Sequence, residues 1–429
     1  MTAVGMDSRF AAPRMLATAQ PQEPMSDLAS SLPLRAGVFL APFHPVHEDP
    51  TLAIRRDIAL MEHLDELGFD EAWIGEHHSA GYEIIASPEL FIAAAAERTR
   101  RIRLGTGVVS LPYHNPLMAA DRMIQLDHMT RGRAMFGVGP GLLPSDADML
   151  GIPIEKQRER MAESLEVILR LLAGETVNAQ SEWFTLKNAR CQLHPYTRPR
   201  PEVAVASTIT PSGAKLAGKH GLSLLCVAAT AVAGYDALET NWRIACNVAE
   251  EHGQSMSRER LRLVAPMHIA QTREQAFADV EFGLQAWVDY FARVNPTASG
   301  SDLQAKGPAR AMVDSGRAVI GTPDDAVAQI ERLRAQTGGF GTLLLLAHNW
   351  ANFERTKYSY ELFARHVLPR VNQVNDLRAG SLSAFGENKQ LLLDRAGQAI
   401  RQAFETHQAD VRRALKPKEP AAEGGETNS

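Results

Sequence analysis

The apolar positions of the chain follow two alternating patterns between Leu34 and about Val371. One pattern is a short, nearly continuous apolar run, which is typical of a β-strand that is covered on both faces. The other repeats an apolar residue every three or four positions, which is typical of a helix with one buried face. The apolar runs predict strands at Arg35–Leu40, Glu71–Gly75, Arg103–Ser110, Ala134–Gly139, Val203–Ala206, Leu222–Val227, Leu261–Ile269 and Thr342–Ala347.

Helices are predicted between these strands, and two of them have clear capping signals. Asp49-Pro50 begins a helix that ends at Gly68, and Thr322-Pro323 begins one that ends at Gly338-Gly339. Each start combines a side-chain cap with proline in the first turn, and each end has a glycine that tolerates the left-handed conformation. Because the alternation of strand and helix repeats about eight times, it favours an α/β fold of the (β/α)8 TIM-barrel type. An open, doubly wound sheet is the alternative.

The chain divides into three predicted parts. Residues 1–33 are predicted to be a disordered leader, residues 34–371 the barrel domain, and residues 372–429 a helical extension with a disordered tail. Insertions after strands, at Glu175–Pro201 and Ala292–Asp314, are expected to shape the mouth of the barrel. The extension has one apolar helical face, expected to pack on the barrel or on a second subunit, that contains Leu393, Ala396, Ile400, Phe404 and Val411.

Composition narrows the classes of function. The 429 residues are 45% hydrophobic with a formal net charge of -5, so the chain lacks the basic excess of nucleic-acid-binding and membrane-surface proteins. No run approaches the roughly 18 apolar residues that a membrane-spanning helix needs. The three cysteines, Cys191, Cys226 and Cys246, are an odd number without the spacing of metal ligands. They therefore predict a cytoplasmic protein without disulfides and without a metal site.

Titratable side chains follow the strand predicted at Glu71–Gly75, where Glu76, His77 and His78 come in succession. Active sites of α/β barrels lie at the carboxyl ends of the strands, so this triplet is placed for catalysis. Position alone leaves His77 open between a proton-transferring role and a structural one. Since side chains alternate along an extended segment, His78 is predicted to be structural, and Glu76 is predicted to bond the backbone.

Further motifs follow in a characteristic order, at Leu104–Pro112, His114-Asn115-Pro116 and Gln125–Arg133. Together with Glu76-His77-His78 they resemble the bacterial-luciferase-like flavin monooxygenases, and the resemblance extends from about Leu34 to Val371. The segments most similar to limonene-oxygenating members of that family are Gly81–Glu89 and Gly137–Asp146.

The resemblance implies that reduced flavin binds over the carboxyl ends of the strands, reacts with O₂ and passes one oxygen atom to a substrate. It assigns His77 the catalytic control of a proton, for which an imidazole is suited near neutral pH. It also implies a cis peptide bond between Gly107 and Val108 beneath the flavin ring. The cofactor-binding residues that it implies are Gly107, Val108, Gly139, Leu142, Ala206, Ser207 and Thr210.

Two of these residues, Ser207 and Thr210, match positions that hold the flavin phosphate in the family. The sequence alone favours ordinary helix capping at this place. Luciferase has an arginine and a glutamate where this chain has Pro140 and Ala206, which leaves both FMN and FAD open.

The resemblance further implies partners. A separate NAD(P)H-dependent reductase would supply the reduced flavin, the chain would form a homodimer, and neither nucleic acid nor membrane is expected. The expected substrate is a small apolar molecule, and the expected reaction is epoxidation of a limonene-type alkene. Two other functions stay open: a deazaflavin-dependent hydride-transfer oxidoreductase, and a flavin-binding protein without catalysis.

Overall fold

The structure is a computed structural model that describes residues 32–41, 43–294 and 307–416. Its strands are β1 (Arg35–Leu40), β2 (Glu71–Ile74), β3 (Arg103–Thr106), β4 (Val109–Ser110), β5 (Ala134–Gly139), β6 (Val177–Gln180), β7 (Thr185–Ala189), β8 (Glu202–Ser207), β9 (Ser223–Cys226), β10 (Leu261–Ile269), β11 (Val319–Gly321) and β12 (Thr342–Ala347). Its helices are α1 (Pro50–Leu67), α2 (Pro88–Ala96), α3 (Pro116–Thr130), α4 (Pro144–Met149), α5 (Gln157–Leu172), α6 (Ser212–His220), α7 (Val232–Glu251), α8 (Arg273–Val280), α9 (Leu284–Val294), α10 (Pro308–Asp314), α11 (Pro323–Thr337), α12 (Phe353–Leu362), α13 (Leu368–Val371) and α14 (Asp376–Ala414).

Parallel strands form a closed ring at the centre of the chain. The ring runs through β1, β2, β3, β5, β8, β9, β10 and β12, and β12 pairs again with β1. Helices connect most of these strands and surround them, as parallel connections require. The predicted (β/α)8 TIM barrel is therefore confirmed.

The apolar runs located the strands well, and β1, β5, β10 and β12 have the predicted bounds. The run at Arg103–Ser110 forms two strands, since Gly107 and Val108 separate β3 from β4. The pattern does not predict the antiparallel hairpin of β6 and β7, because most of its residues are exposed or half-buried. Both capping predictions are confirmed: Asp49 accepts a hydrogen bond from the backbone of Leu52, and Thr322 begins a capping box.

The interior of the barrel is filled by apolar side chains from different strands. Trp73 is fully buried among them, and its ring occupies the space beside β3. A Cβ at Gly105 would lie 2.7 Å from Cε3 of Trp73, so glycine at this position leaves room for the indole. The other members of this layer are Phe39, Met135, Ala204, Leu225, Val264 and Leu344.

Charged side chains fill the barrel at the beginnings of the strands. Nε and Nη2 of the fully buried Arg262 donate to the two carboxylate oxygens of Glu71 at 2.6 and 2.8 Å. Nη1 of Arg262 lies 2.8 Å from a carboxylate oxygen of Glu202, and the Ser223 hydroxyl donates to that oxygen at 2.6 Å. This cluster joins β2, β8, β9 and β10. The attraction between the guanidinium and the two carboxylates offsets the cost of removing these charges from water.

Contacts divide the chain into two compact units, one that ends at Asn372 and one that begins at Gln373. The second unit contains α14, whose residues are exposed or half-buried. No helix among the described residues is both long and apolar enough to cross a membrane. The leader predicted at residues 1–33 lies almost wholly outside the described residues, and the assignment of 34–371 and 372–429 stays a prediction.

Candidate active site

Neighbouring strands bring the candidate residues to one end of the barrel. His77 follows β2, Gly107 and Val108 lie between β3 and β4, Gly139 ends β5, and Ser207 ends β8. These strands are parallel and adjacent in the ring. Because the carboxyl ends of parallel strands share one rim, the predicted site residues lie around the same rim.

Glu76 fastens the segment after β2 to the neighbouring strand. Its Oε2 accepts a hydrogen bond from the backbone N–H of Ser110 at 2.6 Å. Its Oε1 accepts from Nε2 of His114 at 2.6 Å and from Nε2 of His78 at 3.1 Å. Burial raises the pKa of Glu76, but the bonds from His114 and His78 outweigh burial and lower the pKa to about 2. Glu76 therefore bonds two imidazoles in addition to the predicted backbone group.

The side chain of His77 lies between two carboxylates. Its Nδ1 is 3.2 Å from Oδ2 of Asp146, and its Nε2 is 3.3 Å from Oε2 of Glu83. Burial lowers the pKa of His77, but Glu83 and Asp146 raise it, and the pKa lies above its ordinary value. The two carboxylates therefore stabilise the imidazolium form of His77.

Asp146 orients this imidazole from the first turn of α4. Its Oδ1 accepts hydrogen bonds from the backbone N–H of His78 at 3.1 Å and from the hydroxyl of Ser79 at 2.5 Å. Burial raises the pKa of Asp146, but the bonds from His77 and Ser79 bring it below its ordinary value. Asp146 thus stays ionised and holds Nδ1 of His77.

Glu83 is the second buried carboxylate beside His77. Burial raises its pKa above the ordinary value. The hydroxyl of Tyr290, on α9, donates to Oε1 of Glu83 at 3.0 Å. The ring of Tyr290 packs against Tyr82 at 4.6 Å and against Phe43 at 5.7 Å between centroids. An apolar wall therefore adjoins the carboxylate that faces His77.

The backbone between β3 and β4 is closely packed on the barrel interior. The peptide bond from Gly107 to Val108 is cis, as the resemblance implies. A Cβ at Gly107 would lie 3.0 Å from the side chains of Phe39 and Trp73. A Cβ at Gly139 would lie 2.5 Å from Cγ2 of Val108, so only glycine at residue 139 leaves Val108 in place.

The end of β8 offers unsatisfied hydrogen-bonding groups. The hydroxyl of Ser207 is buried without a hydrogen-bond partner among the described residues. The start of α6 receives no side-chain cap from those residues, so the ordinary capping that the sequence favours is not observed. A Cβ at Gly213 would lie 2.3 Å from the carbonyl oxygen of Ala206, which shows how closely α6 begins beside β8. A free hydroxyl next to free N–H groups of a helix start fits the phosphate of a flavin.

Other implied cofactor residues give less evidence of a role. Leu142 is 70% exposed, Ala206 is half-buried, and Thr210 is exposed with its hydroxyl 3.1 Å from that of Ser212. Their part in binding stays a prediction. Asp146, Glu83 and Tyr290 have no sequence signal that marks them as site residues, although Glu83 and Asp146 lie within the segments on which the resemblance rests.

Comparisons with known proteins agree with this arrangement. The family model for luciferase-like monooxygenases matches residues 34–339. Limonene 1,2-monooxygenase of Rhodococcus erythropolis is 49% identical over 337 residues, which cover 78% of this chain and 86% of that protein. The 4-hydroxyprotoasukamycin monooxygenase of Streptomyces nodosus subsp. asukaensis is 45% identical over 340 residues, which cover 78% of this chain and 92% of that protein.

Solved structures share the fold. The monooxygenase RslO1 from Streptomyces bottropensis superposes with a TM-score of 0.69 at 28% identity, over 79% of this chain and 99% of that chain. The oxygenating constituent of 3,6-diketocamphane monooxygenase from Pseudomonas putida, solved in complex with FMN, gives a TM-score of 0.67 at 24% identity, over 79% of this chain and 98% of that chain. With the family match spanning most of the barrel, the chain belongs to the luciferase-like monooxygenases, a family of flavin-dependent enzymes.

Proposed function

We propose that this flavin monooxygenase oxygenates a small apolar alkene, and that limonene epoxidation is the reaction to test first. The substrate class rests on the 49% identity to limonene 1,2-monooxygenase over 337 residues. The apolar wall of Phe43, Tyr82 and Tyr290 is consistent with such a substrate. In the balanced reaction, the alkene, O₂, two electrons and two protons give the epoxide and water.

FMN is the proposed cofactor. When bound, reduced flavin supplies the two electrons with which O₂ is divided between product and water. Ser207 and the start of α6 would hold its phosphate, and Gly107, Val108 and Gly139 would lie at its ring. The buried free hydroxyl of Ser207 supports this assignment, and the FMN complex of a protein with the same fold is consistent with it. FAD is the alternative, and a separate NAD(P)H-dependent reductase is the proposed source of the reduced form.

His77 is the proposed catalytic residue. Oxygen transfer to an alkene requires a proton to be delivered and removed at the reacting oxygen, and a placed imidazole contributes about 10²- to 10⁴-fold in such steps. Asp146 and Glu83 raise the pKa of His77 and so stabilise its protonated form. Leu142, Ala206 and Thr210 complete the proposed cofactor site. A homodimer in the cytoplasm, with Cys191, Cys226 and Cys246 as free thiols, is also part of the proposal.

The test supplies purified full-length chain with NADH, a flavin reductase, FMN, limonene and ¹⁸O₂. Mass spectrometry should find limonene epoxide that carries one ¹⁸O atom. The His77→Ala variant should still bind flavin but should form about 10²-fold less epoxide. The proposal is wrong if H₂O₂ is the only product from limonene and from a panel of other terpenes and aldehydes.

Two further measurements separate the alternative functions. Turnover without O₂, with a reduced deazaflavin as hydride donor, would identify a hydride-transfer enzyme. Flavin binding with no turnover under any condition, and no effect of His77→Ala, would identify a flavin-binding protein without catalysis.

A further inference from the structure

The C-terminal helix α14 carries a long apolar stripe with a regular repeat. Leu382, Leu393, Phe404 and Leu415 each follow the previous one by 11 residues. The other stripe positions divide each 11-residue interval into steps of three, four and four residues. The whole stripe, which we name the seam, consists of Leu382, Phe385, Lys389, Leu393, Ala396, Ile400, Phe404, His407 and Val411 on α14, and of Leu415 directly after the last residue of the helix.

The seam is open to solvent in the single chain. Leu393 is 52% exposed, Ile400 57% and Phe404 64%. Isolated apolar side chains are common on protein surfaces, but a continuous apolar patch marks a site of interaction. At about 1.5 Å per residue, the seam from Leu382 to Leu415 is about 50 Å long. A partner that covers it must therefore be long, straight and apolar along one line.

We propose that the seam pairs with the seam of a second copy of this chain, in antiparallel orientation. An 11-residue repeat corresponds to about 3.67 residues per turn, close to the α-helical period, so the seam stays on one side of a nearly straight helix. A second α14 has the same length and the same repeat. It is therefore itself a long, straight partner that is apolar along one line, and no other molecule is needed. The proposal is independent of the flavin site and of the proposed reaction.

The residues along the seam favour the antiparallel orientation. In that orientation Leu382 lies opposite Leu415, and Leu393 lies opposite Phe404. The small Ala396 lies opposite the larger Ile400, so that layer alternates small and large side chains.

Charge distinguishes the two orientations further. In parallel pairs Lys389 would lie opposite Lys389 of the second copy, which places like charges together. In the antiparallel pair Lys389 of each copy lies opposite His407 of the other, so no lysine faces a lysine. These two polar layers also fix the register, since a shift along the seam would bury Lys389 against apolar side chains.

The area suffices for a stable pair. The seam offers large apolar side chains at all positions except Lys389, Ala396 and His407. At roughly 60–120 Å² for each side chain that becomes buried, two copies cover on the order of 1,000 Å². This is about the lower limit for a specific interface.

The experiment compares two glutamate variants of the full-length chain by analytical ultracentrifugation over a range of concentrations. Leu393→Glu changes the seam, and Leu391→Glu changes a leucine on the opposite face with nearly the same exposure, 50% against 52%. We expect the wild-type chain and Leu391→Glu to self-associate alike, and Leu393→Glu to do so at least tenfold more weakly. Circular dichroism checks that both variants keep their helix.

Disulfide trapping tests the orientation. A mixture of Leu382→Cys and Leu415→Cys chains should form a cross-linked pair, and Leu382→Cys alone should not. The unaltered chain, with its own three free cysteines, measures the background. Efficient cross-linking of Leu382→Cys with itself would overturn the antiparallel orientation.

Two results would overturn the pairing itself. One is a wild-type chain that remains monomeric, whether its seam is free, covered within the chain, or bound to vesicles that contain phosphatidylglycerol. The other is a dimer that Leu393→Glu leaves unchanged, because such a dimer forms through another surface.

Discussion

Nε2 of His77 lies 3.3 Å from Oε2 of Glu83, and both side chains are largely buried. Burial alone would favour the neutral forms of both groups, since it lowers the pKa of His77 and raises that of Glu83. Their mutual attraction opposes this effect and, together with Asp146, raises the pKa of His77 above its ordinary value. Glu83 therefore contributes to the protonation equilibrium of the proposed catalytic residue.

We expect Glu83→Gln to lower the pKa of His77, because an uncharged amide no longer stabilises the imidazolium. The pKa values of His77 and Glu83 are both raised by folding, so the pair adds stability only where Glu83 is ionised and His77 is protonated, and this contribution is lost as the pH rises through the folded pKa of His77. The variant should therefore be less stable than wild type within this pH window, and the difference should shrink as the pH rises above it. NMR titration of His77 and unfolding across pH measure the two effects.

The matched control is Glu62→Gln, which removes an exposed carboxylate paired with Arg98 at 2.8 Å. It should leave the titration of His77 unchanged. In the pH profile of product formation, the limb that belongs to His77 should move to lower pH only in Glu83→Gln. An unmoved limb would show that Glu83 does not govern this proton.

Ser207→Ala should weaken FMN binding about ten- to hundredfold, because a hydrogen bond to a charged phosphate is worth about 1.5–3 kcal/mol. Without flavin the variant should be as stable as wild type, since the hydroxyl has no partner to lose among the described residues. Titration with reduced FMN and thermal unfolding of the flavin-free chain test both expectations.

Riboflavin, which lacks the phosphate, provides the ligand control, and its affinity should not change in Ser207→Ala. The variant control is Ser164→Ala, which removes another buried hydroxyl without a described partner, on α5. Equal losses for FMN and riboflavin would place Ser207 away from the phosphate.

The barrel could be predicted from the sequence because each buried strand forms its own apolar run. Gly139 and Ser207 could be placed at one rim for the same reason, since Gly139 ends such a run and Ser207 follows one. Gly107 and Val108 lie within the predicted run at Arg103–Ser110, and the family resemblance assigned them to the flavin ring. The cis peptide bond after Gly107 was predicted from the family resemblance, because no local sequence pattern at Gly107 requires it.

The carboxylates around His77 could not be predicted in the same way. Glu83 and Tyr290 are 207 positions apart, and only tertiary packing brings the hydroxyl to the carboxylate. The pattern of apolar residues predicts which of them are buried. An acidic residue can be buried only where other groups bond its carboxylate, and the sequence pattern does not show which groups those are. Arg262, Glu71 and Glu202 were missed at the other end of the barrel for that reason.

Gly139→Ala should destabilise the barrel by about 1–3 kcal/mol, because the added methyl group would overlap Val108. The overlap is direct, with 2.5 Å between the new Cβ and Cγ2 of Val108. Urea unfolding measures the loss, and flavin titration should show weaker binding because Val108 must move. Gly380→Ala on α14 is the control, since its Cβ would meet no described atom within 4 Å. Equal stability of Gly139→Ala and wild type would contradict the close packing.

Glu71→Gln should cost about 3–5 kcal/mol of unfolding free energy, because it leaves the buried guanidinium of Arg262 without its main partner. The control is Glu166→Gln, which removes an exposed carboxylate paired with Lys219 at 3.1 Å and should cost at most about 1 kcal/mol. Urea unfolding at neutral pH compares the two. Similar small losses would show that water reaches Arg262 and replaces the carboxylate.

Glu202 should make the unfolding free energy of the barrel depend on pH in the acidic range. Burial raises its pKa, but Arg262 and Arg103 outweigh burial and lower it from 4.5 to about 2. Since the folded pKa lies below the unfolded one, the ionised carboxylate contributes stability above pH 4.5 and loses it as the pH falls towards 2. The difference in unfolding free energy between wild type and Glu202→Gln should therefore be greatest near neutral pH and should shrink below pH 4.5. Urea unfolding between neutral pH and about pH 3 measures it, and a constant difference would mean that Glu202 does not titrate with folding.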